Sequence, residues 1–349
     1  MIPRLARRRR SGSAPPGPPG AGAPGPPEPQ GLPPRALVPR PEVGCGPVTE
    51  TLFAHLTSED LAQVQDRLQG EHRVLWDTAS PEDRKRLALG FALLYGVSGV
   101  PERTGLIAAS PPHDVHSMAH EWLTEIGGSY YLADIVLGSL GAVGAQLPAG
   151  AVALDFSCSS GRVVRPLQAA RPDVHWHGCD PNVGAIAWVR DHFPQLEVFV
   201  SETAPPLPFA AESLHLVFAI SVWSHYSATA ALRWLEEMHR AIRPGGHLIM
   251  TTHGLHSCGW FTQYRDPAIE AKLGGSWITD TVARLQHQGH CFWDVFGKRG
   301  DWGVVDSDWG LAFFTPEWLL EHVTPAWTVG EYRIGRALGN QDLYVLERR

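Results

Sequence analysis

Short runs of apolar residues recur through the second half of the chain, and amphipathic stretches separate them. This pattern predicts buried strands at 151–156, 174–180, 196–200, 213–220 and 247–252. Between the last two runs, residues 232–242 place Trp234, Leu235 and Met238 on one side, which predicts an amphipathic helix. Strands that alternate with helical segments favour an α/β fold with a parallel sheet.

The region before these strands, residues 49–148, has a helical pattern. Polar capping residues predict helix starts near Ser58 and Ser80, and a proline follows Ser80 in the first turn of the second helix. Two more helical stretches are predicted at 114–126 and 130–140. We therefore expect a helical N-terminal cap in front of the sheet.

Residues 1–48 form a tail rich in proline, glycine and arginine. The tail holds 13 of the 30 prolines by residue 41 and has almost no bulky side chains between positions 11 and 31. A segment with so little apolar surface cannot offset the conformational entropy lost on ordering. We predict that it is disordered.

Composition excludes several classes of function. The chain of 349 residues is 44% hydrophobic, enough for a sizeable core. No apolar run approaches the roughly 20 residues of a membrane span. The net charge is −7, but the first 40 residues carry +6, so the remainder carries −13, which argues against nucleic-acid binding. The five cysteines show no zinc-type spacing, and their odd number fits free thiols in a reducing cytoplasm.

The stretch 151–165 carries the strongest local signal for a ligand. Its predicted strand is followed by five small residues, 157–161, and then by a helical pattern. A small-residue turn at a helix start lets a ligand approach unpaired backbone N–H groups. The same turn also fits a nicotinamide-binding Rossmann unit, or a strand-to-helix turn with no ligand.

Two acidic residues refine this prediction. Asp180 ends the second predicted strand, 19 residues beyond Gly161, where a carboxylate can accept hydrogen bonds from both hydroxyls of a ribose. Asp155 stands before the turn and offers a negative charge to a ligand that carries an ammonium group or another cation.

Five features in order over residues 150–254 resemble class I S-adenosylmethionine (SAM)-dependent methyltransferases. They are Asp155 with Gly161 in the first motif, Asp180 after the second strand, Leu-Pro-Phe at 207–209, a fourth strand that ends near Ser221, and Arg-Pro-Gly-Gly at 243–246 before the fifth strand. Ser157 and Ser159 occupy first-motif positions where glycine is usual. The strand-like runs 327–334 and 342–347 resemble the closing hairpin of that fold.

The resemblance implies a doubly wound, mostly parallel seven-stranded sheet with a closing antiparallel hairpin, and SAM as cofactor. It also implies a methyltransferase domain over 149–349 with a tryptophan-rich insertion at 255–326. The expected cofactor-binding residues are Asp155, Phe156, Ser157, Ser159, Gly161, Asp180, Pro181, Glu202, Ile220 and Ser221. Thr203 is an alternative to Glu202, because the spacing between Glu202 and Leu-Pro-Phe differs by one residue from the spacing usual in the family.

The expected reaction is methyl transfer to an oxygen or nitrogen of a small or medium-sized organic acceptor, such as a secondary metabolite or glycan. His225 and His253 follow the fourth and fifth strands and are the candidate general bases. We expect no metal, although Asp301, Asp306 and Asp308 keep that question open. Two alternatives remain at this point: an NAD(P)-dependent Rossmann oxidoreductase and a non-catalytic protein with the SAM-binding fold.

Overall fold

The computed structural model describes residues 46–112, 115, 126–296, 300, 305–323 and 325–349. Nine strands lie within these residues: β1 (Val152–Phe156), β2 (His175–Asp180), β3 (Glu197–Val200), β4 (Leu214–Ala219), β5 (Ile242–Thr252), β6 (His290–Trp293), β7 (Leu311–Phe314), β8 (Trp327–Ala337) and β9 (Gln341–Arg348). The tail predicted to be disordered lies outside the described residues up to residue 45, as does almost all of the helix predicted at 114–126. The predicted end of the tail at residue 48 is wrong, because a helix begins at Pro47 and Val48 is buried.

Seven of these strands form one sheet in the order β3-β2-β1-β4-β5-β9-β8. Strands β1 to β5 run parallel, whereas β9 pairs antiparallel with β5 and β8 antiparallel with β9. The predicted mostly parallel seven-stranded sheet and its antiparallel hairpin are confirmed. Strands β6 and β7 form a separate antiparallel pair.

Thirteen helices lie within the described residues. They are α1 (Pro47–Phe53), α2 (Ser58–Arg67), α3 (Gly70–Thr78), α4 (Pro81–Leu94), α5 (Val100–Thr104), α6 (Tyr130–Ala142), α7 (Val164–Ala170), α8 (Val183–His192), α9 (Ala228–Ala241), α10 (Leu255–Gln263), α11 (Pro267–Leu273), α12 (Trp277–Gln288) and α13 (Pro316–Val323). None of the helices described here is both long and apolar enough to cross a membrane.

Side chains of the central strands alternate between two buried faces, as the period of a strand requires. Leu154, Val217 and Leu248 pack on the face that α9 covers. Residues one position away, such as Ala153 and Phe218, pack on the opposite face with α4, α6, α7 and α8. Because both faces are covered, the sheet is doubly wound, and its central strands β1 and β4 are largely apolar.

The largest boundary differences from the sequence prediction are at the starts of α9 and β5. Helix α9 begins at Ala228 rather than 232, because the Ser227 side chain accepts a hydrogen bond from the Ala230 N–H and caps the helix there. Strand β5 begins at Ile242 and includes residues 243–246, which the sequence analysis placed between the helix and the strand. The pairing with β4 changes register across these residues, as in a β-bulge.

Candidate active site

The turn after β1 adopts a backbone conformation that favours glycine. Ser157 has φ +67°, Ser159 has φ +49° and Gly161 has φ +71°. All three values lie in the left-handed region, which L-residues other than glycine, asparagine and aspartate rarely enter. The two serines therefore take the conformation for which methyltransferases usually employ glycine at these positions.

Asp180 holds the turn in place from the end of β2. One carboxylate oxygen accepts a hydrogen bond from the Ser159 N–H at 2.8 Å, and the other accepts one from the Asn182 N–H at 2.8 Å. Burial raises the pKa of Asp180, and these two N–H donors act in the opposite direction. A carboxylate has about four lone-pair sites. Asp180 therefore keeps acceptor capacity for hydroxyl groups of a ligand.

Asp155 is buried at the end of β1, and its Oδ2 atom has no hydrogen-bond partner within the described part of the chain. Burial raises its pKa well above the usual range, and the nearby charge of Asp180 adds to this effect. A buried carboxylate oxygen without a partner is costly unless a cation pairs with it. Asp155 also lines the cavity beside the turn, so this atom fits the ammonium group of SAM.

Two adjoining cavities surround the predicted cofactor residues. The first, of about 90 Å³, is lined by six of them: Asp155, Ser157, Ser159, Asp180, Ile220 and Ser221. The second is lined by Phe156, Pro181, Glu202 and Thr203, again with Ser157. Glu202 and Thr203 both border it, so the choice between them stays open. Gly161 lines neither cavity; it contributes to the turn through its positive φ.

Sequence reasoning missed Trp309, which borders both of these cavities. Its indole ring stacks on the His225 imidazole with centroids 4.7 Å apart, and its buried Nε1 has no hydrogen-bond partner in the ranges that the structure describes. The neighbouring Asp308 fixes this segment, because it accepts a hydrogen bond from Ser227 and pairs with Arg233 at 2.9 Å. The tryptophan-rich composition of 255–326 was the available signal, but it did not single out one tryptophan.

A third cavity, of about 160 Å³, continues from the first. Four residues line both: Arg162, Ile220, Ser221 and His225. The remaining walls are mostly apolar and aromatic, and they include Trp260, Phe261, Phe296 and Leu311. We call this third space the acceptor cavity, because it opens from the cofactor cavity at the end of β4.

The two candidate bases differ in their surroundings. His225 Nδ1 donates to the Gly310 carbonyl oxygen at 2.7 Å, so Nε2 carries the lone pair of the neutral ring. Burial lowers the pKa of His225 to about 4. His253 lies in the acceptor cavity with both nitrogens paired. Its Nδ1 donates to the Ala312 carbonyl oxygen at 3.2 Å, and its Nε2 accepts from the Gln341 amide at 3.3 Å. Burial lowers the pKa of His253 to about 3.

Gln341, which the sequence analysis also missed, lines the acceptor cavity and hydrogen-bonds to residues at the ends of β4 and β5. Its Oε1 accepts from the Thr251 hydroxyl at 2.6 Å, and its Nε2 donates to Ser221 Oγ at 2.8 Å. The Thr251 hydroxyl in turn accepts from the Ser221 N–H. A signal for it existed, because an antiparallel last strand begins where the parallel strands end, and Gln341 opens that strand.

The structure gives no support for a metal centre within the residues it describes, since no group of three histidine, cysteine or acidic side chains there could hold a metal ion. Asp306 borders the second cofactor cavity, and Asp308 is paired with Arg233. Asp301 lies outside the described residues.

Comparison with known proteins agrees with this geometry. A family model described as a methyltransferase domain matches residues 153–246. The strand order also differs from the all-parallel dinucleotide-binding sheet, because antiparallel β9 lies between β5 and β8. Residues 153–246 therefore match a methyltransferase domain, and the fold is consistent with a class I SAM-dependent methyltransferase, a class whose cofactor is SAM.

Solved structures with similar folds are remote in sequence. A TehB-like SAM-dependent methyltransferase from Corynebacterium glutamicum is 14% identical, with a TM-score of 0.41, and the match covers 68% of this chain and 100% of that one. A SAM-dependent methyltransferase from Methanosarcina mazei is 16% identical, with a TM-score of 0.41, and covers 58% and 94%. A geranyl diphosphate methyltransferase in complex with GPP and sinefungin is 11% identical, with a TM-score of 0.41, and covers 70% and 88%.

Proposed function

We propose that this protein transfers a methyl group from SAM to an oxygen or nitrogen of a small or medium-sized organic acceptor. The observation that carries the proposal is the unpartnered Asp155 Oδ2, buried beside a cavity that continues into an aromatic one. Asp155 would pair with the ammonium group of SAM, and Asp180 would accept from the ribose hydroxyls. Glu202 or Thr203 would meet the adenine end. The division into a tail, a helical cap and a methyltransferase domain remains part of this proposal.

SAM, when bound, supplies an electrophilic methyl group on a positively charged sulfur. The acceptor atom forms its new bond to the methyl carbon as the carbon–sulfur bond breaks, and sulfur keeps that electron pair. The protein must align acceptor and methyl group and exclude water. Ser221 and His225 line both cavities and therefore stand at the boundary where the two substrates meet.

The proton of a hydroxyl acceptor would move to Nε2 of His225. With a pKa of about 4, the His225 ring is neutral at pH 7, so Nε2 carries a lone pair. Such a ring is a weak base before transfer, but the transfer removes the positive charge of the sulfur. Before transfer, the positive sulfur would repel a protonated His225, because like charges repel strongly in a buried site. After transfer this repulsion is gone, so His225 can hold the proton more easily.

Calorimetric titration with SAM, S-adenosylhomocysteine (SAH) and NAD tests the proposal. We expect SAM and SAH to bind and NAD not to bind. Asp155→Asn should weaken SAM binding by about 1.5–3 kcal/mol, since a charged hydrogen-bond partner is lost. Asp173→Asn is the matched control, because Asp173 pairs with Arg171 outside the cavities. NAD binding without SAM binding, or equal affinity of Asp155→Asn and wild type, would overturn the proposal.

A further inference from the structure

Two buried polar atoms in residues that line the acceptor cavity have no hydrogen-bond partner among the residues that the structure describes. They are the indole Nε1 of Trp260 and the amide Oδ1 of Asn340. Leaving a buried donor or acceptor unpaired costs about 1–3 kcal/mol. A ligand that accepts from Trp260 and donates to Asn340 would recover this energy on binding.

Most other polar side chains around this cavity are already engaged. The Gln341 amide donates to both Ser221 Oγ and His253 Nε2. The Asp266 carboxylate caps α11, where it accepts from the N–H groups of Ala268 and Ile269. Apart from the second oxygen of Asp266, the cavity therefore has few hydrogen bonds to offer, and a sugar ring with about four hydroxyls would leave some of them unpaired at a cost of about 1–3 kcal/mol each.

The size and walls of the cavity favour a flat apolar ring. Its volume is about 160 Å³. An apolar cavity of about 150 Å³ in another protein holds one benzene molecule. The aromatic side chains of Trp260, Phe261 and Phe296 line it together with Ile269 and Leu311. Aromatic side chains bind flat rings through stacked and edge-to-face contacts.

We propose that the acceptor is a single-ring aromatic compound with at least two polar substituents. One, a hydroxyl group, lies at the boundary formed by Ser221 and His225 and receives the methyl group. The other accepts a hydrogen bond from Trp260 Nε1, donates one to Asn340 Oδ1, or does both, as a second hydroxyl can. This inference rests on the proposed function, because it assigns the second substrate of the same site.

The test compares ring compounds of matched size on the complex with SAH. The aromatic probes are phenol, resorcinol and hydroquinone, and the flexible controls are cyclohexane-1,3-diol, cyclohexane-1,4-diol and methyl glucoside. Saturation-transfer NMR and calorimetry measure their binding. We expect the dihydroxybenzenes to bind at least about tenfold more tightly than the cyclohexanediols, which cannot stack.

Two tryptophan variants separate hydrogen bonding from packing. Trp260→Phe keeps a ring and removes the N–H, so it should weaken resorcinol or hydroquinone about five- to tenfold. Trp277→Phe is the control, because its Nε1 is also buried without a partner but Trp277 does not line the cavity. It should change binding less than twofold. Asn340→Ala is a second, independent variant should Trp260→Phe fail to fold.

The outcomes distinguish this inference from the proposed function. Failure of SAH itself to bind would overturn both. Binding of SAH without binding of any aromatic probe at millimolar concentration would overturn only the acceptor assignment. Equal or tighter binding of cyclohexanediols or methyl glucoside would do the same, as would equal effects of Trp260→Phe and Trp277→Phe.

Discussion

The cofactor side and the acceptor side of the site are built in different ways. On the cofactor side, turns that directly follow β1, β2 and β4 supply most groups, and many of these groups already hydrogen-bond one another, as Asp180 does with Ser159 and Asn182. The acceptor side gathers residues from α6, α10, α11, β7 and the β8–β9 turn. Its walls are largely apolar, and Trp260 and Asn340 keep unpaired polar atoms.

This difference suits the two sides to different kinds of ligand recognition. The cofactor side is preorganised, because its backbone and carboxylates hold their geometry through internal hydrogen bonds. Asp155 is the exception, since its buried Oδ2 has no hydrogen bond within the described residues and is stabilised only when a cation pairs with it. The acceptor side relies on shape and on a few unsatisfied groups, which are features that select one ligand by penalising others. Ser221 and His225 belong to both sides.

The largest expected effect concerns His225, at the boundary of the two sides. His225→Asn can retain a donor towards the Gly310 carbonyl but has no basic nitrogen. We expect turnover of a hydroxyl acceptor to fall about 100-fold while SAM affinity changes only a few-fold, because the lost interaction exists only during transfer. Single-turnover kinetics with calorimetry measure the two quantities.

His253→Asn is the control for this experiment. Both nitrogens of His253 are paired within the protein, so its loss should reduce turnover much less. A change of only a few-fold in His225→Asn, or a larger loss in His253→Asn, would contradict the assigned roles.

The second prediction concerns acid stability. The folded-state pKa of His253, about 3, lies below its usual 6.5, so between these values the unfolded chain binds a proton that the folded protein does not. The free energy of unfolding should therefore fall with decreasing pH from 6.5, by up to about 1.4 kcal/mol per unit from this residue.

Asp155 and Asp180 act in the opposite sense, because their raised pKa values make the folded state take up protons first. The wild-type pH profile thus contains opposing contributions, and the useful quantity is the difference between variants. Denaturant titrations from pH 7 to pH 4 should give a shallower acid loss for His253→Asn than for wild type. Parallel profiles would show that His253 is not kept neutral by burial.

The smallest expected effect concerns the strained turn on the cofactor side. Ser157→Gly should stabilise the fold by about 1 kcal/mol or less, since glycine adopts positive φ without the Cβ penalty. Ser160, in the same turn, has no positive φ. Ser160→Gly should therefore destabilise by about 0.5–1 kcal/mol through added unfolded-state entropy. Thermal melting measures both variants. If both change the stability in the same direction, the positive φ of Ser157 does not determine the effect of glycine in this turn.

The sequence also predicts the cofactor side better than the acceptor side. The sheet and much of the cofactor side could be predicted, because Asp155, Asp180 and Ser221 stand within a residue or two of strand ends whose apolar pattern is clear. The start of α9 was missed because the capping role of Ser227 depends on local geometry.

The acceptor side could not be assembled from the sequence, since its members meet only after long-range packing. Trp309 reaches the cofactor cavities because Asp308 is tied to Ser227 and Arg233. Gln341 reaches Ser221 because β9 runs antiparallel beside β5. The contact of Trp309 has no periodicity or spacing that a single sequence reveals, and for Gln341 the only signal was its place at the start of the predicted last strand.

The segment from Trp309 to Phe314 covers the site and is attached to it through the main chain. The N–H groups of Gly310, Ala312 and Phe314 donate to the carbonyl oxygens of His225, Ser224 and His253, each at 2.8 Å. Lifting this segment to admit a ligand would break all three bonds together, so opening is a cooperative event rather than a loop fluctuation. Amide exchange at these three positions should consequently proceed at one common rate, and a bound ligand should slow all three alike.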